Sequence, residues 1–177
     1  MATRKKWAAA YARQASADLE TYENASLRED LFPHVCQRLQ FLQMASEKIC
    51  KAHALLVEVN TLESVTSEHS YIKKFLAKIL DHELLAIYPT NRTQCKLLAS
   101  RFKLLGVEIE ALCPAINRVL RPDNCEYPWE SGETVLSPLD WKFESLEFLR
   151  KPGGRTFIKC LKIAIKRFVE ETSSESP

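Results

Sequence analysis

Apolar residues recur every three or four positions along most of the chain, which is the spacing of one face of an α-helix. The pattern predicts a first helix over about Arg4 to Asn24 and a second helix whose apolar stripe runs from Val35 to Val59. Because that stripe is long and is widened by further apolar residues, we expect the second helix to lie at the centre of the fold. Ser26 to Glu29 matches a capping box, and Phe32-Pro33 separates the two helices.

Two more long helices are predicted beyond the polar stretch of residues 60–67. The apolar face of the third runs from Tyr71 to Leu84 and that of the fourth from Cys95 to Ile116, with Tyr88-Pro89-Thr90 between them. A connection this short indicates that the third and fourth helices are antiparallel neighbours.

The last third of the chain is less regular. Proline and glycine interrupt the helical spacing between Arg121 and Ser137, which predicts an ordered loop. Ser137-Pro138 is typical of a helix start and predicts a short fifth helix ending near Leu149, and a final amphipathic helix is expected after the breaker Pro152-Gly153-Gly154. No segment has the two-residue alternation of a strand. The predicted fold is all-α, an up-and-down helical bundle of four long helices plus a short fifth and a C-terminal sixth helix.

Composition is that of one folded domain. The chain has 177 residues, of which 46% are hydrophobic and 27% charged, so it can bury a core, and wholesale disorder is excluded. We assign residues 1–170 to a single domain and residues 171–177 to a disordered tail. The net charge of +2 is too small to indicate a polyanion-binding protein without a local basic patch. No apolar run is long enough to cross a bilayer and no signal segment is recognisable, so we expect a cytoplasmic protein without a membrane partner.

Metal and redox motifs are missing from the sequence. The six cysteines are at least 12 positions apart, and the four histidines form no His-Glu-x-x-His pattern. We therefore expect reduced, mostly buried thiols, no metal site and no cofactor.

The most distinctive segment runs from Arg38 to Leu55, in which a Gln, a small residue and Glu47-Lys48 precede Lys51-Ala52. Together with Tyr11-Ala-Arg-Gln-Ala-x-x-Asp-Leu in the first helix, it resembles HEPN domains, which are small helical bundles related to ribonucleases. The resemblance covers about residues 6–129. Within the single domain we assign a core of about 4–120, a loop of 121–137 and a C-terminal helical addition of 138–170. Another interpretation is that Glu47, Lys48 and Lys51 form only a solvated helix face.

The resemblance carries functional expectations. It implies nucleotide or RNA binding, a homodimer formed through the central helices, and, for a toxin–antitoxin pair, a nucleotidyltransferase-type antitoxin as partner. HEPN ribonucleases carry, late in the fold, an Arg and a His that are separated by four to six intervening residues. Here Arg121 has the expected spacing, but Glu126 stands where the His is expected. An ionised carboxylate repels an RNA phosphate and cannot donate a proton at neutral pH.

Three functions therefore remain open at this point. The first is a module that binds a nucleotide or RNA without cutting it, the second is a ribonuclease toxin that uses Arg121 and Glu126, and the third is a structural adaptor without a ligand. The one literal Arg-x5-His arrangement, Arg28 to His34, falls between the first two helices, and we keep it only as a weaker catalytic candidate.

Two groups of residues are candidates for contacting phosphates or bases. In the loop they are Arg118, Arg121, Asn124 and Tyr127, where arginines would hold phosphate and the tyrosine would stack on a base. The other interpretation is a loop that is simply pinned to the bundle. In the last helix, steps of four, three and four align Arg155, Lys159, Lys162 and Lys166, which form either a phosphate-binding track or a solvated face.

Overall fold

The computed structural model describes residues 3–28, 30–57, 61–116 and 122–173. Over these residues the chain is mostly helical, which confirms the predicted all-α bundle. The helices are α1 (Arg4–Leu27), α2 (Val35–Leu56), α3 (Leu62–Ser67), α4 (Ile72–Ile87), α5 (Arg92–Ala111), a 3-10 helix (Glu144–Arg150) and α6 (Pro152–Ser173), and the strands are β1 (Trp129–Ser131) and β2 (Thr134–Leu136).

Helix α2 lies at the centre of the bundle, as its long apolar stripe predicts. It packs against α1, α4, α5 and α6, and most of its side chains are buried. Its most extensive contact is with α1, which turns Ala8, Ala12 and Ala15 toward the core. Because these side chains are small, the two helix backbones can approach closely.

Helix boundaries depend on local capping that periodicity does not reveal. Thr3, Thr61 and Asn91 each accept a hydrogen bond from a backbone N–H in the first turn of α1, α3 and α5. The predicted capping box at Ser26 is wrong, because Ser26 lies inside α1 and its hydroxyl donates to the carbonyl oxygen of Tyr22, 2.8 Å away.

The predicted loop of residues 121–137 contains a small antiparallel hairpin, so the expectation of no strands is wrong. Strands β1 and β2 are joined through Gly132, whose φ of 62° suits a residue without a side chain. Trp129 is buried at the start of β1, and its ring packs edge-on against Trp141, with the ring centroids 5.6 Å apart.

The predicted fifth helix begins later than its sequence signal. The Ser137 hydroxyl accepts a hydrogen bond from the Leu139 N–H, but this turn does not continue into a helix. Phe143 then adopts a left-handed conformation with φ 49° while its side chain is buried. This kink redirects the chain, and the 3-10 helix starts at the next residue. Pro152-Gly153-Gly154 is not a breaker but the first turn of α6, where proline lacks only an N–H that has no helical partner.

Among the helices that the structure describes, none combines the length and the continuous apolar character that crossing a bilayer requires. The six cysteines lie buried as free thiols.

Candidate nucleotide-binding surface

A cavity of about 610 Å³ opens where the end of α1, the start of α2 and the 3-10 helix meet. Its apolar wall comes mainly from the first turns of α2 and from the 3-10 helix segment. The lining residues are Tyr22, Ser26, Val35, Arg38, Leu39, Lys142, Phe143, Leu146, Glu147, Leu149 and Arg150. The left-handed Phe143 lies in this wall, so the backbone kink that starts the 3-10 helix also shapes the cavity.

Three cations border the cavity against one carboxylate. Arg38 belongs to α2, whereas Lys142 lies just before the 3-10 helix and Arg150 is its last residue. The carboxylate of Glu147 lies 3.2 Å from an Arg150 guanidinium nitrogen, and no carboxylate of the described residues pairs with Lys142. Burial raises the pKa of the Tyr22 hydroxyl, and Ser26 and Arg38 oppose that effect. Tyr22 therefore keeps its proton at neutral pH and can act as a hydrogen-bond donor.

The basic residues of α6 continue this surface. The guanidinium of Arg155 donates to the carbonyl oxygen of Arg150 at 3.3 Å. Lys162 forms an ion pair with Glu23, the neighbour of Tyr22, at 2.8 Å. Lys159 and Lys166 lie on the same exposed face of α6, opposite the buried Phe157, Leu161 and Phe168. The carboxylate of Glu170 partly offsets Lys166, at 3.7 Å.

The loop candidates are placed differently from the sequence expectation. Arg118 and Arg121 lie outside the described residues. Asn124 is buried, and its amide organises the loop by donating to the carbonyl oxygens of Pro122 and Tyr127 and by accepting from the N–H groups of Glu126 and Tyr127. Its hydrogen-bonding capacity is thus used within the loop. The Tyr127 ring is 56% exposed and remains accessible for stacking.

Of the two proposed catalytic pairs, only Arg28 and His34 lie entirely among the described residues, and no contact joins them. Glu126 is exposed on the loop, and its expected partner Arg121 is not among the described residues. Arg28 pairs with Asp30, with both contacts at 3.2 Å, rather than with His34. His34 immediately precedes α2 and makes no capping hydrogen bond through its side chain.

The HEPN-like segment of α2 carries a buried polar cluster. Glu47 is 9% exposed and Lys51 only 4%, so the interpretation of these residues as a solvated face is wrong. The Glu47 carboxylate accepts from Gln43 at 2.8 Å, and its second oxygen lies 2.9 Å from the Lys51 ammonium and 3.0 Å from His69 Nδ1. The next residue, Lys48, is partly exposed and pairs with Asp18 of α1 at 2.6 Å.

A cysteine completes this cluster. The Cys113 Sγ, a Glu47 carboxylate oxygen and a His69 ring nitrogen all lie within 4.8 Å of one another. Burial raises the pKa of the Cys113 thiol, and the carboxylates of Glu47 and Glu126 act in the same direction. The sequence gives no signal for this cluster, because its members are 22 and 44 positions apart and the expectation of no metal site rests on local spacing.

The cationic surface can bind phosphate through its guanidinium and ammonium groups, while its apolar wall can contact a base or another flat group. No histidine lies among the residues that line the cavity, so the described residues do not supply a base and acid of the imidazole type there. Comparison of the chain with protein-family models, with curated proteins and with solved structures finds no match in any of the three.

Proposed function

We propose that this chain is a cytoplasmic, HEPN-like module that binds a nucleotide or RNA through its phosphates and does not cleave it. We also propose that the module acts as a homodimer. The observation that carries the proposal is the cationic surface, defined as the cavity residues Arg38, Lys142 and Arg150 together with the α6 residues Arg155 and Lys162. Sequence resemblance to HEPN domains supplies the class of ligand.

Charge is concentrated on this surface far beyond the average for the chain. The cavity lining carries three cations and one acid, a net charge of +2, which equals the net charge of the whole chain. Affinity for phosphate depends on such local clustering, because each neutralised phosphate releases condensed counterions. Within this surface, Lys142 has no carboxylate partner among the described residues and can neutralise phosphate without first breaking an ion pair.

The shape of the cavity favours a nucleotide over a bare anion. Val35, Leu39 and Leu146 provide an apolar wall beside the cations, and the Tyr22 hydroxyl adds a donor. Ligand sites typically combine such a wall with a few polar groups that fix orientation. The planar guanidinium groups of Arg38 and Arg150 suit two-point recognition of phosphate oxygens.

Binding without cleavage follows from the position of the acid that replaces histidine. Glu126 is exposed on a loop beside Tyr127, and a carboxylate there repels an approaching phosphate. We therefore expect RNA to remain intact after incubation with the protein. Cleavage of the RNA that is lost in the Arg121→Ala variant would instead favour the ribonuclease toxin.

The homodimer needs a surface other than the central helix, because α2 is buried over most of its length. Leu97 and Leu104 of α5 are seven residues apart, share one face of the helix and are 57% and 61% exposed. The Leu97→Asp/Leu104→Asp variant should therefore be monomeric in light scattering, whereas the wild type should be a dimer. A monomeric wild type at high protein concentration would contradict this part of the proposal.

The binding proposal is tested with a fluorescently labelled single-stranded RNA and, separately, with a labelled adenine nucleotide. The charge-reversal variant Lys142→Glu/Arg150→Glu should bind at least about tenfold more weakly than the wild type. If two phosphate contacts are lost on RNA, the slope of log affinity against log salt should fall by about 1.4. The Lys96→Glu/Lys103→Glu variant makes the same charge change at exposed positions of α5, away from the cavity.

A loss of affinity in the cavity variant but not in the α5 variant would support the proposed site. If the nucleotide binds and the RNA does not, the ligand is a nucleotide that fits within the cavity. Equal loss in both variants would show that only overall charge matters. Absence of binding to either probe at low salt would contradict the proposal and favour the structural adaptor.

A further inference from the structure

We propose that Glu47, His69 and Cys113 form a binding site for a zinc-type divalent cation, a site that is separate from the cationic surface. The three side chains come from α2, from the segment between α3 and α4, and from the residues just after α5. Their donor atoms are a carboxylate oxygen, an imidazole nitrogen and a sulfur, all within 4.8 Å of one another.

The spacing of these atoms suits tetrahedral coordination. Zinc–nitrogen and zinc–oxygen bonds of about 2.0–2.2 Å and zinc–sulfur bonds of about 2.3 Å place neighbouring ligand atoms about 3.3–3.6 Å apart. The distance from a Glu47 carboxylate oxygen to His69 Nδ1 is 3.0 Å, so these two ligands need to separate only slightly, and Cys113 Sγ lies within 4.8 Å of both. Glu47 and Cys113 are buried, whereas the His69 side chain is 43% exposed, which leaves the fourth coordination position open to water.

The chemistry of the donors selects the metal. A thiolate and an imidazole suit zinc and the later transition metals, whereas magnesium and calcium require oxygen ligands. Binding breaks the S–H bond of Cys113, the sulfur keeps the electron pair for the metal, and the proton passes to solvent. No oxidant or reductant takes part in this step.

Neighbouring groups already orient the carboxylate. Gln43 donates to one oxygen of Glu47, which leaves the other directed toward His69 and Cys113. Lys51 contacts that second oxygen and opposes an entering cation, but its ammonium also lies 5.9 Å from the ring centroid of Tyr11. The electron-rich ring face offers the ammonium an alternative contact when the metal binds.

The test uses the metal-free full-length protein, prepared with a chelator and titrated with Co²⁺ and with Zn²⁺. We expect one Co²⁺ per chain, visible d–d bands and a near-ultraviolet thiolate-to-cobalt charge-transfer band, all of which Zn²⁺ abolishes by displacement. His69→Ala should weaken binding more than about hundredfold, because losing a ligand costs more than losing an outer partner. Cys113→Ser should remove the charge-transfer band.

Cys95→Ser is the matched control, because the Cys95 thiol already contacts the carbonyl oxygens of Leu84 and Tyr88, which a hydroxyl can contact as well. This variant should retain the wild-type spectrum. A charge-transfer band that survives in Cys113→Ser, unchanged affinity in His69→Ala, or no stoichiometric binding of either metal would overturn the proposal. If Cys113→Ser does not fold, the exposed His69 still provides the decisive variant.

Discussion

The start of α6 packs so closely against the 3-10 helix that position 154 has no room for a methyl group. A Cβ atom on Gly154 would overlap the carbonyl oxygen of Phe148 and the Cα of Leu149, and it would lie 2.6 Å from the carbonyl carbon of Leu149. These are backbone atoms, which cannot rotate away as a side chain does. The substitution Gly154→Ala must therefore push α6 and the 3-10 helix apart.

The size of the effect can be estimated from opposing contributions. Overpacking a core costs about 1–3 kcal/mol when side chains can adjust, and backbone contacts place this case at or above the upper end of that range. The higher helix propensity of alanine relative to glycine offsets about 1 kcal/mol of this cost. Separation also reduces the burial of Leu146 and Leu149, which are 4% and 9% exposed. We expect Gly154→Ala to lower the free energy of unfolding by about 2–4 kcal/mol.

Gly106 provides a control with the opposite sign. A Cβ there would lie 3.8 Å from atoms of Ile72 and Leu76, which is ordinary van der Waals contact. Gly106→Ala, within α5, should raise the free energy of unfolding by about 0.5–1 kcal/mol. Urea denaturation followed by circular dichroism measures both changes. Because the 3-10 helix lines the cavity, Gly154→Ala should also weaken RNA binding. Wild-type stability of Gly154→Ala, or equal shifts in both variants, would refute the packing argument.

Three further predictions concern ionisable groups that are buried or partly buried. Glu47→Gln leaves the Lys51 ammonium without its counterion, so the free energy of unfolding measured in urea should fall by about 3–5 kcal/mol. The double variant Glu47→Gln/Lys51→Met should lose less, because it leaves no unpaired charge. Burial and two nearby cations lower the pKa of His53 in the folded protein. The unfolded state therefore binds more protons, and the free energy of unfolding falls as the pH drops through about 6.5. Between about pH 7.5 and 5.5, urea denaturation should show a smaller fall in the free energy of unfolding for His53→Phe than for the wild type. Burial raises the pKa of Cys160 to about 12, so mass spectrometry should find it alkylated slowly when folded and readily in urea.

Helical periodicity predicts the long elements of this fold because each of them buries an extended apolar face. The short elements lack that signal. Helix α3 has six residues and buries only Val65 among them, and each strand of the hairpin has three residues. Their formation depends on Thr61 capping and on the burial of Trp129, which are interactions with particular neighbours. Gly154 also depends on particular neighbours. The sequence pattern predicts a helix breaker at this glycine, whereas in the structure its lack of a side chain allows α6 to pack closely against the 3-10 helix.

The candidate sites are harder to predict from sequence because their members meet only in the folded chain. Arg155 and Lys162 are visible as a basic stripe, but nothing in the pattern joins them to Arg38 and Lys142, which reach the same surface from other elements. Glu47 is even harder to recognise from sequence as a site residue, because a lysine four residues away usually indicates a solvated surface pair. In a central helix, every face meets a neighbour, so a polar residue there must be buried with partners. The burial of α2, predicted from its apolar stripe, therefore implies that its polar residues need buried partners, and the structure brings His69 and Lys51 to the Glu47 carboxylate.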